Sequence, residues 1–257
     1  MAENTKIEWC DHTVNLWWGC DKVHTGCKNC YAEYFSDKRY KKNLWGKNSF
    51  RQRIKSAFSE LDKYQKIAEK NNQYFKIFCG SMMDIFEVSM PLVNPLEKIF
   101  SETYDLRIEL FRRIDDGIYK NLIFLFLTKR PQYINQMILY SWLENIPSNI
   151  WSGTSISSQE TFNEYVPLLI KNTPKKAKLF LSIEPQTEDV NISSKIEKVK
   201  WIIQGGESGF KRRGFDVLWA YKIKKYCKDF NIPYFFKQID KKIEIPTDLQ
   251  IREFPNF

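Results

Sequence analysis

Three of the chain's six cysteines stand close together in the run Gly19-Cys20-Asp21-Lys22-Val23-His24-Thr25-Gly26-Cys27-Lys28-Asn29-Cys30-Tyr31-Ala32-Glu33. Their spacing is C-x6-C-x2-C, and the last two thiols can open a helix that continues through YAEYF. Thiolates gathered in this way suit two chemistries. A structural zinc takes four protein ligands, and His24 would complete a Cys3His set. A [4Fe–4S] cluster held by only three cysteines keeps one iron open for a substrate or cofactor. Cys10 lies upstream, and Cys79 and Cys227 fall in a strand-like and a helix-like stretch, so structural roles are expected for these three. Outside the zinc reading, His12 and His24 are expected to be polar surface residues.

A second set of reactive groups follows a series of short apolar runs. The runs are 13–18 (TVNLWW), 75–79 (FKIFC), 122–127 (LIFLFL), 150–153 (IWSG), 178–183 (KLFLSI), 200–204 (KWIIQ) and 233–236 (PYFF). Ser81 and Asp84 follow the second run, Thr128, Lys129 and Arg130 the third, and Ser155 the fourth. Glu184 follows the fifth, and Gly205-Gly206-Glu207-Ser208-Gly209 the sixth. Lys237 closes the last and is either a buried ion-pair partner or a substrate contact. Paired glycines let backbone N–H groups approach an anion. Glu207 can accept from an ammonium or a ribose hydroxyl. A cation at Lys129 would take a carboxylate or phosphate, and Lys211, Arg212 and Arg213 are candidates for substrate phosphate.

These residues need elements to position them. The runs are continuous rather than alternating, as in parallel strands covered on both faces. Between them lie stretches long enough for crossover helices, such as 91–117 and 215–230. Strand and helix repeated in this way predict an α/β fold with a parallel sheet, open or closed into a barrel. Ligands bind such sheets at the carboxyl ends of the strands, where the polar groups fall. No linker is visible, so one domain over 1–257 is expected.

Composition narrows the class. Of 257 residues, 43% are hydrophobic and 28% charged, which excludes an intrinsically disordered chain. No apolar run approaches the ~20 residues that span a bilayer. The opening MAENTKIEWC lacks a basic-then-apolar export pattern, so a cytoplasmic protein is expected. The net charge is +9, and residues 36–76 hold twelve Lys or Arg against four Asp or Glu. That segment reads either as a solvated helical face or as a surface for polyanions, with Tyr40, Trp45 and Phe50 interleaved.

The run TKIEWCDHTVNLWWGCDKVHTGCKNCYAE resembles the opening of the phage-associated three-cysteine-motif family of radical S-adenosylmethionine (SAM) proteins. SMMDIFE, FLTKRP, GTSISSQE, LSIEP, WIIQGGESG and FFKQ continue the resemblance over residues 5–238. It implies a partial (β/α)6-type radical SAM barrel, with a helical basic insertion after the cysteine motif. It also implies a [4Fe–4S] cluster on Cys20, Cys27 and Cys30, with SAM chelating the open iron. Ser81 and Asp84 would then receive the SAM amino group, and Thr128 and Lys129 its carboxylate. Ser155 and Glu184 would contact ribose or adenine. Gly205, Gly206 and Glu207 are cofactor candidates by their own chemistry, since many radical SAM enzymes place Gly-Gly-Glu after the second strand and here it follows the sixth run. The chain departs from the common C-x3-C-x2-C spacing in its longer first gap, and Asn29 stands where an aromatic residue is usual. An electron donor is required, and a partner protein is a candidate to supply the substrate or complete the site. The charge points to a nucleic acid or nucleotide substrate. Two alternatives stand beside this reading: a zinc-stabilised nucleic-acid-binding protein without catalysis, and a radical SAM enzyme acting on a peptide or small metabolite.

Overall fold

The computed structural model describes residues 5–92, 102–193, 196–208, 211–240 and 242–257. Gly209, Phe210 and part of the 91–117 crossover stretch lie outside the described residues. The strands are β1 (His12–Val14), β2 (Trp17–Trp18), β3 (Gln52–Arg53), β4 (Phe75–Cys79), β5 (Leu122–Thr128), β6 (Ile150–Ile156), β7 (Lys178–Ile183), β8 (Val199–Gly205) and β9 (Tyr234–Gln238). The α-helices are α1 (Tyr31–Glu33), α2 (Ala57–Lys70), α3 (Thr103–Asp115), α4 (Ile134–Met137), α5 (Gln159–Asn172) and α6 (Val217–Asp229). Seven strands form one parallel sheet in the order β1-β4-β5-β6-β7-β8-β9, curled into a half barrel.

The sheet's two faces follow from the two-residue period of a strand. Phe78, Leu125, Trp151, Phe180, Trp201 and Phe235 point inward and pack with Trp9 in one interior cluster. Their chain neighbours Ile77, Phe124 and Ile150 face outward into the core that includes α2 and α3. Leu181, Ile202 and Phe236 do the same beneath α5 and α6. The inward face starts aromatic and, two residues at a time, reaches Leu127, Ser155, Ser182 and Lys237. The interior is thus plugged near the strand starts and polar near the strand ends. Phe257 adds to the plug, its ring 5.0 Å from that of Trp151. The free edge of β9 is covered by the C-terminal segment: Phe236 N donates to Ile251 O at 3.0 Å, and Glu253 N to Tyr234 O at 3.0 Å.

The helices begin where side chains satisfy their free N–H groups. Ser158 accepts from Thr161 N to start α5, and Asp216 accepts from Leu218 N to start α6. Among the described residues no helix is long and apolar enough to cross a membrane.

Four expectations need correction. The sheet has seven parallel strands rather than the six of a (β/α)6 unit, and no helix links β7 to β8 among the described residues. The run 13–18 is not one strand. It breaks at Asn15, and Trp17–Trp18 turn away to pair antiparallel with Gln52–Arg53. The basic stretch is not a helical insertion either: α2 is the ordinary crossover from β1 to β4, and residues 40–50 before it carry no helix. His12 is no surface residue. It lies in β1 with its ring stacked on Tyr64, centroids 3.8 Å apart. Cys79 and Cys227 are buried as expected, as is Cys10, whose thiol burial pushes up to about 12.

Candidate functional site

The cysteine loop leaves β2 through Gly19, whose φ of +118° suits only glycine. A side chain there would also meet Leu44 O at 2.6 Å. Cys27 ends a 3-10 turn over Thr25–Cys27, and Cys30 immediately precedes α1, which runs on as a π-helix over Tyr34–Arg39. This chain path brings Cys20, Cys27 and Cys30 to the wall of one cavity at the carboxyl ends of the strands. The cavity is open to solvent on one side, so a ligand can enter it from the strand ends.

The opposite walls are the strand ends. Ser81, Asp84, Thr128, Lys129, Ser155 and Glu184 all line the cavity, as do Gly206, Glu207 and Lys237. Gly205 does not; it sits in β8 against β9. Burial pushes the Cys20 thiol up to about 12, against the pull of the Arg130 guanidinium. Cys30 is likewise raised by burial, while the Lys129 charge acts to lower it. These thiols therefore stay protonated at neutral pH unless a metal displaces the proton.

Several strand-end groups already have partners. The Asp84 carboxylate accepts from Thr128 Oγ1 (2.6 Å), Phe86 N (3.0 Å), Lys129 N (3.0 Å) and Arg130 Nη1 (3.1 Å). With four donors filled it ties the ends of β4 and β5 together, and it is not the free acceptor for a ligand amino group expected from the sequence. Thr128 is consumed in the same network. Lys129 differs: it lines the cavity, and its side chain has no hydrogen bond or ion pair among the described residues. Ser81 Oγ accepts from Asn15 Nδ2 at 3.0 Å, and Ser155 Oγ donates to Glu184 O at 2.8 Å. Glu184 and Lys237 form an ion pair in the cavity wall, the buried-partner reading of Lys237.

The glycine pair serves packing before anion binding. A Cβ on Gly206 would lie 1.9 Å from Ile239 O, so only glycine fits beside β9. Glu207 does not face the cavity as a free carboxylate. It accepts from Arg213 Nη2 (2.7 Å), Arg213 N (2.8 Å) and Asn29 Nδ2 (3.0 Å). Burial pushes its carboxyl up, but these bonds outweigh burial and hold it below the usual carboxylate range. The pairing clamps the cysteine loop at Asn29, the residue before Cys30. Arg213 also donates to Thr25 O at 3.2 Å, and Arg212 is taken up by Asp240. Of the three cations expected to meet phosphate, only Lys211 keeps an exposed side chain without a partner among the described residues.

Arg130, expected with Lys129 as a strand-end cation for a carboxylate or phosphate, is instead taken up by the protein. Its Nη1 donates to Cys20 Sγ at 3.5 Å and its Nη2 to Asp21 O at 2.9 Å, so it orients the first cysteine. The organising roles of Asn15 in the β4 loop and Asn29 in the cysteine loop were not legible in the sequence. Each is a lone amide whose partner is distant in sequence, so no local signal marks it.

His24 is a capping residue and not a surface one. Its Nδ1 accepts from Gly26 N at 2.9 Å, and its ring meets Tyr165 edge-on. Its Nε2 is buried and has no hydrogen-bond partner among the described residues. Among the described residues no three His, Cys, Asp or Glu are gathered as a set that could hold a single metal ion. Cys20, Cys27 and Cys30 are among the residues so described, and this geometry by itself selects neither a zinc site nor a cluster. Burial, with the nearby Lys129, Arg130 and Arg213 charges, lowers His24 to about 3. Its folded value lies below its unfolded one, so it stabilises fully above pH ~6.5 and loses that contribution as pH falls toward about 3. The metal-free chain is expected to melt at progressively lower temperature from pH 7 to 5, and His24→Asn, a non-titrating cap, to flatten that trend. Parallel trends in the two proteins would contradict it.

A family model described as a protein of unknown function (DUF5131) matches residues 4–248. No curated protein and no solved structure matches the chain.

Proposed function

We propose that this chain, which belongs to the DUF5131 family, is a radical SAM enzyme that acts on a nucleic acid or nucleotide. The observation that carries the reading is the convergence of three cysteines and an unpaired lysine on one cavity at the strand ends of a half barrel. Three cysteines on a cavity that also presents a cation suit a cube whose open iron takes an anionic ligand; a zinc completed by His24 is the alternative that the metal content distinguishes. Held by Cys20, Cys27 and Cys30, a [4Fe–4S] cluster would supply the single electron for reductive cleavage of SAM, and with it radical chemistry on the substrate.

The chain's own residues have separable tasks. Cys20, Cys27 and Cys30 hold the cluster, and Arg130 fixes the first of them. Lys129 receives the SAM carboxylate, the one anionic group that needs a cation at this wall. Ser81, Ser155 and the Glu184–Lys237 pair offer hydrogen bonds to the remainder of the ligand. The clamp of Glu207 on Asn29 and Arg213 keeps the cysteine loop seated. The aromatic plug below closes the interior to water and oxidants, which a carbon radical requires. An electron donor supplies the reducing equivalent, and a partner protein is a candidate to deliver the substrate. The family resemblance supports a phage-associated, cytoplasmic setting.

The test is anaerobic reconstitution with iron and sulfide, followed by dithionite and SAM. Formation of 5′-deoxyadenosine is the expected result. No cleavage by a chain that has taken up stoichiometric zinc in place of iron would overturn the reading in favour of a zinc-stabilised binding protein.

A further inference from the structure

The basic excess of residues 36–76 is not spread evenly. Helix α2 balances Lys63, Lys66 and Lys70 with Glu60, Asp62 and Glu69, as a solvated face does. Residues 38–50 hold Lys38, Arg39, Lys41, Lys42 and Lys47, all exposed, and no carboxylate. Two exposed rings stand among them, Tyr40 at 49% and Phe50 at 58% exposure.

This strap is built rather than loose. The Asp37 carboxylate accepts from Leu44 N (2.9 Å) and Trp45 N (3.1 Å). From below, the buried Arg51 guanidinium donates to Leu44 O (3.0 Å) and Ser49 O (2.7 Å), pinned in turn by Glu87. Lys41 sits at φ 54°, a left-handed conformation that a lysine adopts only where the surroundings hold it, and Asn43, a residue type that tolerates this conformation, sits there too. The strap also reaches the cavity: Trp45 lines it, and Gly46 N donates to Cys20 O at 3.0 Å.

We propose that this strap is a binding track for a single-stranded polynucleotide, leading toward the cavity mouth. A row of cations without acids complements a phosphodiester backbone, and exposed rings fixed on a rigid loop offer faces for unpaired bases. A duplex keeps its base faces stacked and cannot use them. An acidic polypeptide or an anionic membrane would use the cations alone. The inference deepens the nucleic-acid part of the function proposed above and does not depend on the cluster.

The test is fluorescence anisotropy on the full chain with labelled single-stranded DNA, single-stranded RNA, the matching duplex, and polyglutamate as an acidic competitor. The single strands are expected to bind more tightly than the duplex and to resist polyglutamate. The double variant Lys41→Glu/Lys47→Glu should weaken binding at least about tenfold and flatten the salt dependence by about 0.7 per lost phosphate contact. Tyr40→Ala/Phe50→Ala should weaken it about tenfold with the salt slope kept. A control at the strand starts, Lys175→Glu/Lys176→Glu, should bind as wild type does. The charge-reversal variants are expected to melt as wild type does, and Tyr40→Ala/Phe50→Ala slightly below it, since the Tyr40 ring packs on Phe35 and Trp18. Equal affinity for duplex, full displacement by polyglutamate, no binding at all, or strap variants that bind like wild type would each overturn the proposal. A chain that cleaves SAM yet ignores oligonucleotides would overturn this inference alone.

Discussion

Replacing Cys27 with alanine is expected to abolish 5′-deoxyadenosine formation and to cut retained iron to near background after anaerobic reconstitution. Cys27 is buried at the end of the 3-10 turn that His24 caps, so its sulfur is delivered by fixed backbone geometry. A three-thiolate cluster has no spare ligand, and the loss of one exposes a second iron to solvent and oxidant. Alanine in place of this cysteine removes little volume and leaves the His24–Gly26 cap intact, so the protein should fold and melt close to wild type. Cys79 supplies the control. It is wholly buried in β4, away from the cavity wall, and Cys79→Ala should keep its iron. A Cys27→Ala protein that retains four irons per chain and full turnover would remove the cysteine assignment.

The largest effect on stability is expected at Arg51. Its guanidinium is fully buried and meets Glu87 twice, Nε at 2.8 Å and Nη2 at 2.7 Å. Arg51→Ala leaves the buried Glu87 carboxylate with Arg130, 3.6 Å away, and the buried Arg107 charge as cationic neighbours. Breaking a buried pair from one side costs about 3–5 kcal/mol, and these two neighbours hold the expected loss to the lower end of that range. The carbonyls of Leu44 and Ser49 lose their donor in the same step, so the strap should loosen as well. Arg51→Lys should recover only part of the loss, since one ammonium cannot reproduce the two-pronged contact. Urea midpoints of the three proteins check this. An alanine variant within about 1 kcal/mol of wild type would show that the pair is dispensable.

The strands were legible because their pattern is local. The runs at 75–79 and 178–183 coincide with β4 and β7, and four others fall within a few residues of a strand. Continuous apolar character marks a strand buried on both faces, and that holds wherever the outward residues are also apolar. It fails in β6, which continues past Gly153 through Thr154 to Ile156 with buried hydroxyls that read as a loop. It fails again at Asn15, where a side-chain amide bonded to Ser81 and Met82 N ends β1.

The site was legible as a set of positions but not as a set of roles. Polar groups after each run did fall on one cavity, because every parallel strand ends on the same side of the sheet. Whether Asp84 is free or filled depends on Arg130, 46 positions away, and Glu207 depends on Asn29, 178 positions away. Charge counting met the same limit. Arg51 and Lys47 count equally in the sequence, yet one is buried in an ion pair and the other faces solvent.

The central claim is that Cys20, Cys27 and Cys30 hold a four-iron cube with one open corner. Electron paramagnetic resonance of the anaerobically reconstituted, dithionite-reduced chain, recorded before and after adding SAM, tests it most directly. The account predicts the signal of a reduced [4Fe–4S] cluster that changes when SAM binds. A silent spectrum from an iron-free chain, or a cluster signal indifferent to SAM, would contradict it.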